Sequence, residues 1–173
     1  EGRVQIAKKI IAEAAKYGIE KKDIVIDALA MTISSEPEGA KVTLETLRRL
    51  RDEVGVCTVL GVSNISFGLP SRPIVNSIFY TMAMQNGLSV GIMNPNSLEM
   101  MKAWTCFKTL SGKDSQCLNY IGFAEKYSQN APAISSPSQP SVQTQSEQNQ
   151  NQDALVKAII KGLKESAKTE TQN

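Results

Sequence analysis

A chain of 173 residues, 41% hydrophobic and 21% charged, suits one packed domain of ordinary size and is too short for two large ones. Its 19 Lys and Arg against 17 Asp and Glu leave a net charge of +2, too small an electrostatic footprint for a nucleic-acid partner. The absence of histidine removes imidazole zinc sites, Ser-His and Cys-His nucleophile systems, and a histidine ligand to haem or cobalt.

Helix-like and strand-like stretches alternate through residues 1–127. Ile6, Ile10, Ala14 and Tyr17 recur at helical spacing, with Gly18 as a C-terminal stop. A short apolar run, Ile24-Val25-Ile26, ends in Asp27. Leu44, Leu47 and Leu50 mark a second helix, with Thr43 expected as its N-cap and Gly55 as its stop. Cys57 to Val62 reads as the second strand. Ile74, Val75, Ile78, Phe79 and Met82 form a third helical stripe closed by Gly87. Leu88 to Met93 is the third strand, and a fourth helix carries Leu98, Met101 and Trp104.

The repeat is regular: Ile24 to Cys57 is 33 positions and Cys57 to Ser89 is 32. Near-continuous apolar strands between helices predict parallel strands covered on both faces. Units of just over 30 residues are what successive βα repeats need. A doubly wound sheet and an eight-fold βα barrel both satisfy the pattern. The barrel typically needs about 250 residues, so on that reading the chain holds only its last three units.

Composition changes abruptly at Ser128. Of the 25 residues from Ser128 to Gln152, 19 are Ser, Gln, Asn or Pro, and only Glu147 is charged. Such a segment is expected to be a disordered linker. Asp153 then opens an amphipathic pattern in which Leu155, Ile159, Ile160 and Leu163 share a face, expected as the first helix of a further domain. A start at Glu1 inside a helical pattern, with no signal peptide, suggests a piece of something longer. No apolar run of membrane-spanning length, about 20 residues, occurs. Cys57, Cys106 and Cys117 lack CxxC spacing and are expected as reduced thiols of a cytoplasmic protein, with no metal site.

In parallel α/β folds binding groups gather at the C-terminal ends of strands. Three polar residues fall there: Asp27, Asn64 and Asn94. Asp27 is either a loop-capping carboxylate or a ligand. Asn64 lies in Gly61-Val62-Ser63-Asn64-Ile65-Ser66-Phe67-Gly68-Leu69-Pro70, too long and too glycine-spaced for a simple turn, and not a phosphate loop of the GxGxxG or GxxxxGK kind. Arg72 stands where a cation opposes the helix dipole, as a solvated residue or as one with a task nearby. Asn94-Pro95 most often only starts a helix.

That ten-residue loop, followed by Arg72 and Asn76, resembles the signature loop of the methyltetrahydrofolate-binding methyltransferases. These are the folate domain of cobalamin-dependent methionine synthase and the methyltransferase that serves the corrinoid/iron-sulfur protein. Ile24-Val25-Ile26-Asp27-Ala28-Leu29 resembles the family's strand ending in Asp, with Ala28 where proline is usual. Gly91-Ile92-Met93-Asn94-Pro95 resembles its last barrel strand. The resemblance implies a TIM barrel with a pterin site at its C-terminal face, of which this chain is the C-terminal part. It implies that Asp27 pairs with the pyrimidine edge and that Asn64, the catalytic candidate, hydrogen-bonds near the methyl-bearing N5. Arg72 supports that network, and Ser66 and Asn94 are further candidates. The implied reaction is methyl transfer from methyltetrahydrofolate to the cobalt(I) of a corrinoid (cobalamin) held by another domain or protein. Residues 153–173 resemble the start of a helical cobalamin cap, which favours a downstream fusion.

Three other readings stand beside this one. Dihydropteroate synthase is another pterin barrel, but its strand end carries Ser-Arg-Lys where Ser63 here precedes Asn64-Ile65. A methyltransferase acting on a separate corrinoid/iron-sulfur protein normally ends near the barrel. A three-unit remnant could also serve only as an interaction fragment, because its unpaired edges and uncovered inner face invite aggregation.

Overall fold

A β-branched run such as Val25-Ile26 between polar loops forms a strand only when parallel neighbours pair with it, and here they do. The computed structural model describes residues 2–130, so the expected linker beyond 130 and the helix at 153–173 lie outside them. The chain divides into two units at Asp114 and Ser115. The first contains α1 (Gly2–Ala15), β1 (Val25–Asp27), α2 (Gly39–Arg49), β2 (Cys57–Gly61), α3 (Arg72–Gln85), β3 (Val90–Ile92) and α4 (Leu98–Leu110). In the second, a 3-10 turn at Ser115–Cys117 precedes α5 (Leu118–Asn130). Helical backbone therefore continues to Asn130, past the expected start of the linker at Ser128.

The sheet order is β1-β2-β3, all parallel. Ile26 is in register with Thr58, and Leu60 with Gly91, so these residues share one face. That face packs on the helices: Ile26, Thr58 and Leu60 are buried with Leu47, Leu50, Phe79, Tyr80 and Ala83. The other face carries Val25, Asp27, Cys57, Val59, Val90 and Ile92. Val25 is 51% exposed, Val90 49% and Ile92 63%. The expectation of strands covered on both faces is corrected for the described residues: helices cover one face only. Consecutive right-handed βα crossovers between adjacent strands place every helix on the same side, and only a reversal of strand order would put helices on the other.

Several helix faces also differ from expectation. In α1 the buried residues are Val4 and Ala7, with Ile11 and Ala14 packed beside them, while Ile6, Ile10 and Tyr17 point outward. In α3 the buried set is Asn76, Phe79, Tyr80 and Ala83, whereas Ile74, Ile78 and Met82 are exposed. In α4 Met100 and Thr105 are buried, and Leu98 and Trp104 are exposed. The reason is proximity: a helix laid close on a sheet puts small residues such as Ala7 and Ala83 at the contact, so the bulkiest stripe need not be the inward one. Thr43 is not a cap. It lies fully buried inside α2, where its hydroxyl contacts the carbonyls of Gly39 and Leu29, each at 2.9 Å.

The expected stops at Gly55 and Gly87 hold, with φ of 66° and 100°, a region L side chains avoid. Gly91 serves a different purpose. A Cβ there would meet the Tyr80 ring at 2.8 Å, so its hydrogen lets α3 approach β3. Burial in that contact pushes the Tyr80 hydroxyl above the usual phenol range.

Candidate strand-end site

β1 ends by turning sharply. Asp27 Oδ1 accepts a hydrogen bond from Leu29 N at 2.8 Å, and Leu29 takes a left-handed φ of 60°. That conformation is unusual for leucine and persists only where its surroundings enforce it. Arg3 of α1 supplies the enforcement, donating from Nη1 to the carbonyls of Ala28 at 2.9 Å and Leu29 at 2.8 Å, and Thr43 adds its bond to Leu29. Asp27 is thus an exposed carboxylate on a clamped turn, with one oxygen engaged in the turn and Oδ2 unpaired among the described residues.

The loop after β2 is organised around Asn64. Residues Val62–Ser66 form a 3-10 turn, anchored by the buried side chains of Val62 and Ile65. Alternation in that tight turn leaves Asn64 exposed, folded back over the strand end. A Cβ on Gly61 would lie 3.0 Å from Asn64 Nδ2, a tight contact, so glycine at the end of β2 leaves room for the amide to fold back over it.

Arg72 and Ser66 are spent largely on shaping this loop. Arg72 Nε donates to Ser66 Oγ at 3.0 Å and Nη2 to the Ser63 carbonyl at 2.9 Å. Its guanidinium also stacks 4.5 Å from the centre of the Phe67 ring. Ser66 is fully buried and its hydroxyl donates in turn to the Ser63 carbonyl at 3.3 Å. Both residues brace the turn that presents Asn64.

The first two strand-end loops are tied to each other. Thr32 Oγ1 and Ser34 Oγ each donate to the Phe67 carbonyl at 2.8 Å, and Ile33 N donates to the Ile65 carbonyl at 3.0 Å. Sequence reasoning passed over Thr32, Ser34 and Arg3. The polar run Thr32-Ile33-Ser34-Ser35 after the first strand was the available signal for the serine and threonine. Nothing local marks Arg3, whose partners lie 25 and 26 residues away.

Asn94 forms an Asx turn ahead of α4: its Oδ1 accepts from Asn96 N at 2.9 Å, and its carbonyl accepts from Ser97 N at 3.1 Å. It also borders a recess of about 270 Å³ together with Ser63, Arg72, Asn76, Ser97 and Met100. Asp27, Asn64 and Asn94 therefore stand at the C-terminal ends of three adjacent strands, and the recess lies between the second and third. No group of three metal-ligating side chains occurs among the described residues, and the three cysteines are unbridged. No helix among them is long and apolar enough to cross a membrane.

A sequence profile described as pterin binding enzyme matches residues 2–94, which is 93 of 173 residues and more than half of the chain. A methylcorrinoid:tetrahydrofolate methyltransferase of Eubacterium limosum is 33% identical over 123 residues, covering 69% of this chain and 45% of the relative. A methionine synthase of Mycobacterium leprae is 35% identical over 106 residues, and one of Mycobacterium tuberculosis 33% over 104; each match spans 9% of the relative. The chain thus covers under half of the first relative's length and about a tenth of the other two.

Proposed function

The chain belongs to the pterin-binding enzyme family, among the methyltetrahydrofolate-binding methyltransferases, and from that membership we propose that it forms the last three βα units of a barrel that transfers a methyl group between the N5 of a folate and a corrinoid. The observation that carries the reading is the strand-end row of Asp27, Asn64 and Asn94, with the Asn64 amide seated over Gly61. The bare apolar sheet face supports the fold part, since in a closed barrel that face points inward and is filled by the remaining strands. The domain reading is residues 1–127 as barrel, 128–152 as linker and 153–173 as the start of a cobalamin cap. It places the enzyme in the cytoplasm, where Cys57, Cys106 and Cys117 stay reduced.

Each residue's role follows from its chemistry. Asp27 offers a carboxylate oxygen to the adjacent N–H donors of the pyrimidine edge, a flat pairing that a fixed carboxylate suits. Asn64 stands at N5. A tertiary amine leaves poorly unless protonated, and an amide can accept from protonated N5 or donate to the neutral atom, following it through the reaction. Arg72 and Ser66 hold the loop that presents this amide. The site works by positioning and electrostatics, without a covalent bond to the protein. With no imidazole in this chain, a histidine ligand to the cobalt would come from another domain or protein. The corrinoid supplies the cobalt that exchanges the methyl group and is carried by a partner, read here as a fused downstream domain of the methionine synthase kind.

Microscopic reversibility lets one site serve both directions. The Eubacterium limosum relative is named for transfer from methylcorrinoid to tetrahydrofolate, so demethylation of a separate methylcorrinoid protein is the second reading. The test uses the full-length protein with methyltetrahydrofolate and a cobalt(I) corrinoid carrier, followed by the visible absorbance change on methylation. Asn64→Ala is expected to lower the transfer rate by roughly 10²-fold or more while folate binding persists. A wild-type rate in that variant would overturn the assignment.

A further inference from the structure

Arg3 is a cation in the first turn of α1, where the helix dipole opposes positive charge, and no carboxylate pairs with it among the described residues. Its guanidinium is spent on neutral acceptors instead. Nη1 donates to the carbonyls of Ala28 at 2.9 Å and Leu29 at 2.8 Å, and reaches Thr43 Oγ1 at 3.5 Å. The side chain is half-buried, and these partners stand 25, 26 and 40 residues along the chain. An arginine so placed does little for α1 itself. It acts on the turn after β1.

That turn needs holding. Leu29 is 52% exposed with a φ of 60°, so neither side-chain burial nor backbone preference keeps it left-handed. The peptide between Ala28 and Leu29 is gripped at both ends. Arg3 holds its carbonyl, and Asp27 Oδ1 accepts from its N–H at 2.8 Å. That bond is the only one made by the Asp27 side chain among the described residues. Without the grip on the carbonyl, the peptide can flip, which takes φ of Leu29 to a negative value that leucine prefers. The flip turns the N–H away from Oδ1 and frees the Asp27 carboxylate to rotate.

We propose that Arg3 is a positioning residue for folate binding: by holding the Ala28–Leu29 peptide it fixes the direction in which Asp27 presents its free oxygen to the pyrimidine edge. The inference rests on the pterin placement proposed above, and it adds a group that acts without touching the ligand. Its effect falls on binding and not on the chemical step. Asp27 meets the pyrimidine edge, whereas N5 is served by Asn64, on a loop that Arg72 and Ser66 brace separately. Arginine suits the task because a planar fork meets two carbonyls in a fixed geometry, where a lysine ammonium is a rotating point charge.

The test measures methyltetrahydrofolate affinity and methyl-transfer kinetics of the full-length protein. Arg3→Met keeps the side-chain stem and is expected to weaken folate about tenfold, in Kd and KM alike, while kcat falls less than about twofold. That loss is on the scale of one misdirected hydrogen bond to a charged group. Arg3→Lys should recover part of it. Glycine takes positive φ without a clamp, so adding Leu29→Gly to Arg3→Met should bring affinity back to within about threefold of wild type. A general loss of stability would show no such rescue. Unchanged affinity in Arg3→Met, a loss that Leu29→Gly does not relieve, or an equal fall in kcat would overturn the inference. If Arg3→Met does not fold, Arg3→Lys with and without Leu29→Gly carries the same comparison. Asp27→Ala separates the two readings: wild-type affinity in that variant brings down the pterin placement itself, whereas a loss there with none in Arg3→Met brings down only the role of Arg3.

Discussion

The missing Cβ of Gly61 leaves room for the Asn64 amide, the catalytic candidate, to lie over the end of β2. Gly61→Ala would set a Cβ 3.0 Å from Nδ2, so the amide should give by a few tenths of an ångström and methyl-transfer kcat fall only a few-fold, well short of the roughly 10²-fold that a misplacement of about 1 Å costs. Urea midpoints should change little, as Gly61 has an ordinary strand-end φ that alanine adopts. A variant that keeps full kcat would show that the amide's seat does not matter. The residue types Asp27, Asn64 and Asn94 were legible from strand ends alone. The division of labour around them was not: Arg72 and Ser66 spend their hydrogen bonds on the loop, and only distances reveal that.

Thr58 and α2 carry the element-scale consequences. Thr58 is fully buried, its Oγ1 donates to the Gly87 carbonyl at 3.0 Å and accepts from Ser89 N at 3.1 Å, and its own N–H donates to Ser89 Oγ at 3.1 Å. One side chain thus locks β2 to the start of β3. Thr58→Val keeps the shape but strands a donor and an acceptor, and should cost about 1–3 kcal/mol in chemical denaturation of the full-length protein. On α2 and the turn after it, Arg48, Arg51 and Arg49 hold Glu45, Asp52 and Glu53 respectively below the usual carboxylate range by hydrogen bonding. Lowered carboxylates contribute stability above their unfolded values, and that contribution fades as pH falls through the folded ones. Denaturation midpoints should therefore hold from neutrality to about pH 5 and decline below about pH 4, less steeply in high salt because these pairs are exposed. A flat profile down to pH 3 would contradict this. The strands and the glycine stops were readable because backbone preference is local. The inward faces of α1, α3 and α4 were not, since apolar residues occupy both sides of these helices and only contact with the sheet chooses between them.

For the whole molecule, the decisive feature is a three-stranded sheet with one covered and one open face. Val25, Val90, Ile92 and Cys57 line the open one, and both edge strands lack a neighbour among the described residues. Produced by itself, the chain should self-associate and bind folate poorly; a monodisperse monomer with cooperative unfolding would count against the barrel reading. Cys57 gives a direct probe. It should react readily with a thiol reagent in this chain by itself, and be protected in a longer protein if further strands close the proposed barrel over it. Equal reactivity in both would place that face outward.

The repeat of 33 and 32 residues, the helix stops and the signature loop determined the βα order, the family and the candidate residues, because each depends on a few neighbouring residues and on the period of the backbone. Whether the units wind on one side or both was undecided at that level, and the strand order β1-β2-β3 with a single buried face decided it. The clamp of Arg3 on the Asp27 turn and the tie from Thr32 and Ser34 to the Asn64 loop likewise belong to tertiary structure alone. The groups in the clamp and the tie lie far apart in sequence, and no local pattern encodes which distant groups the fold brings within hydrogen-bonding distance.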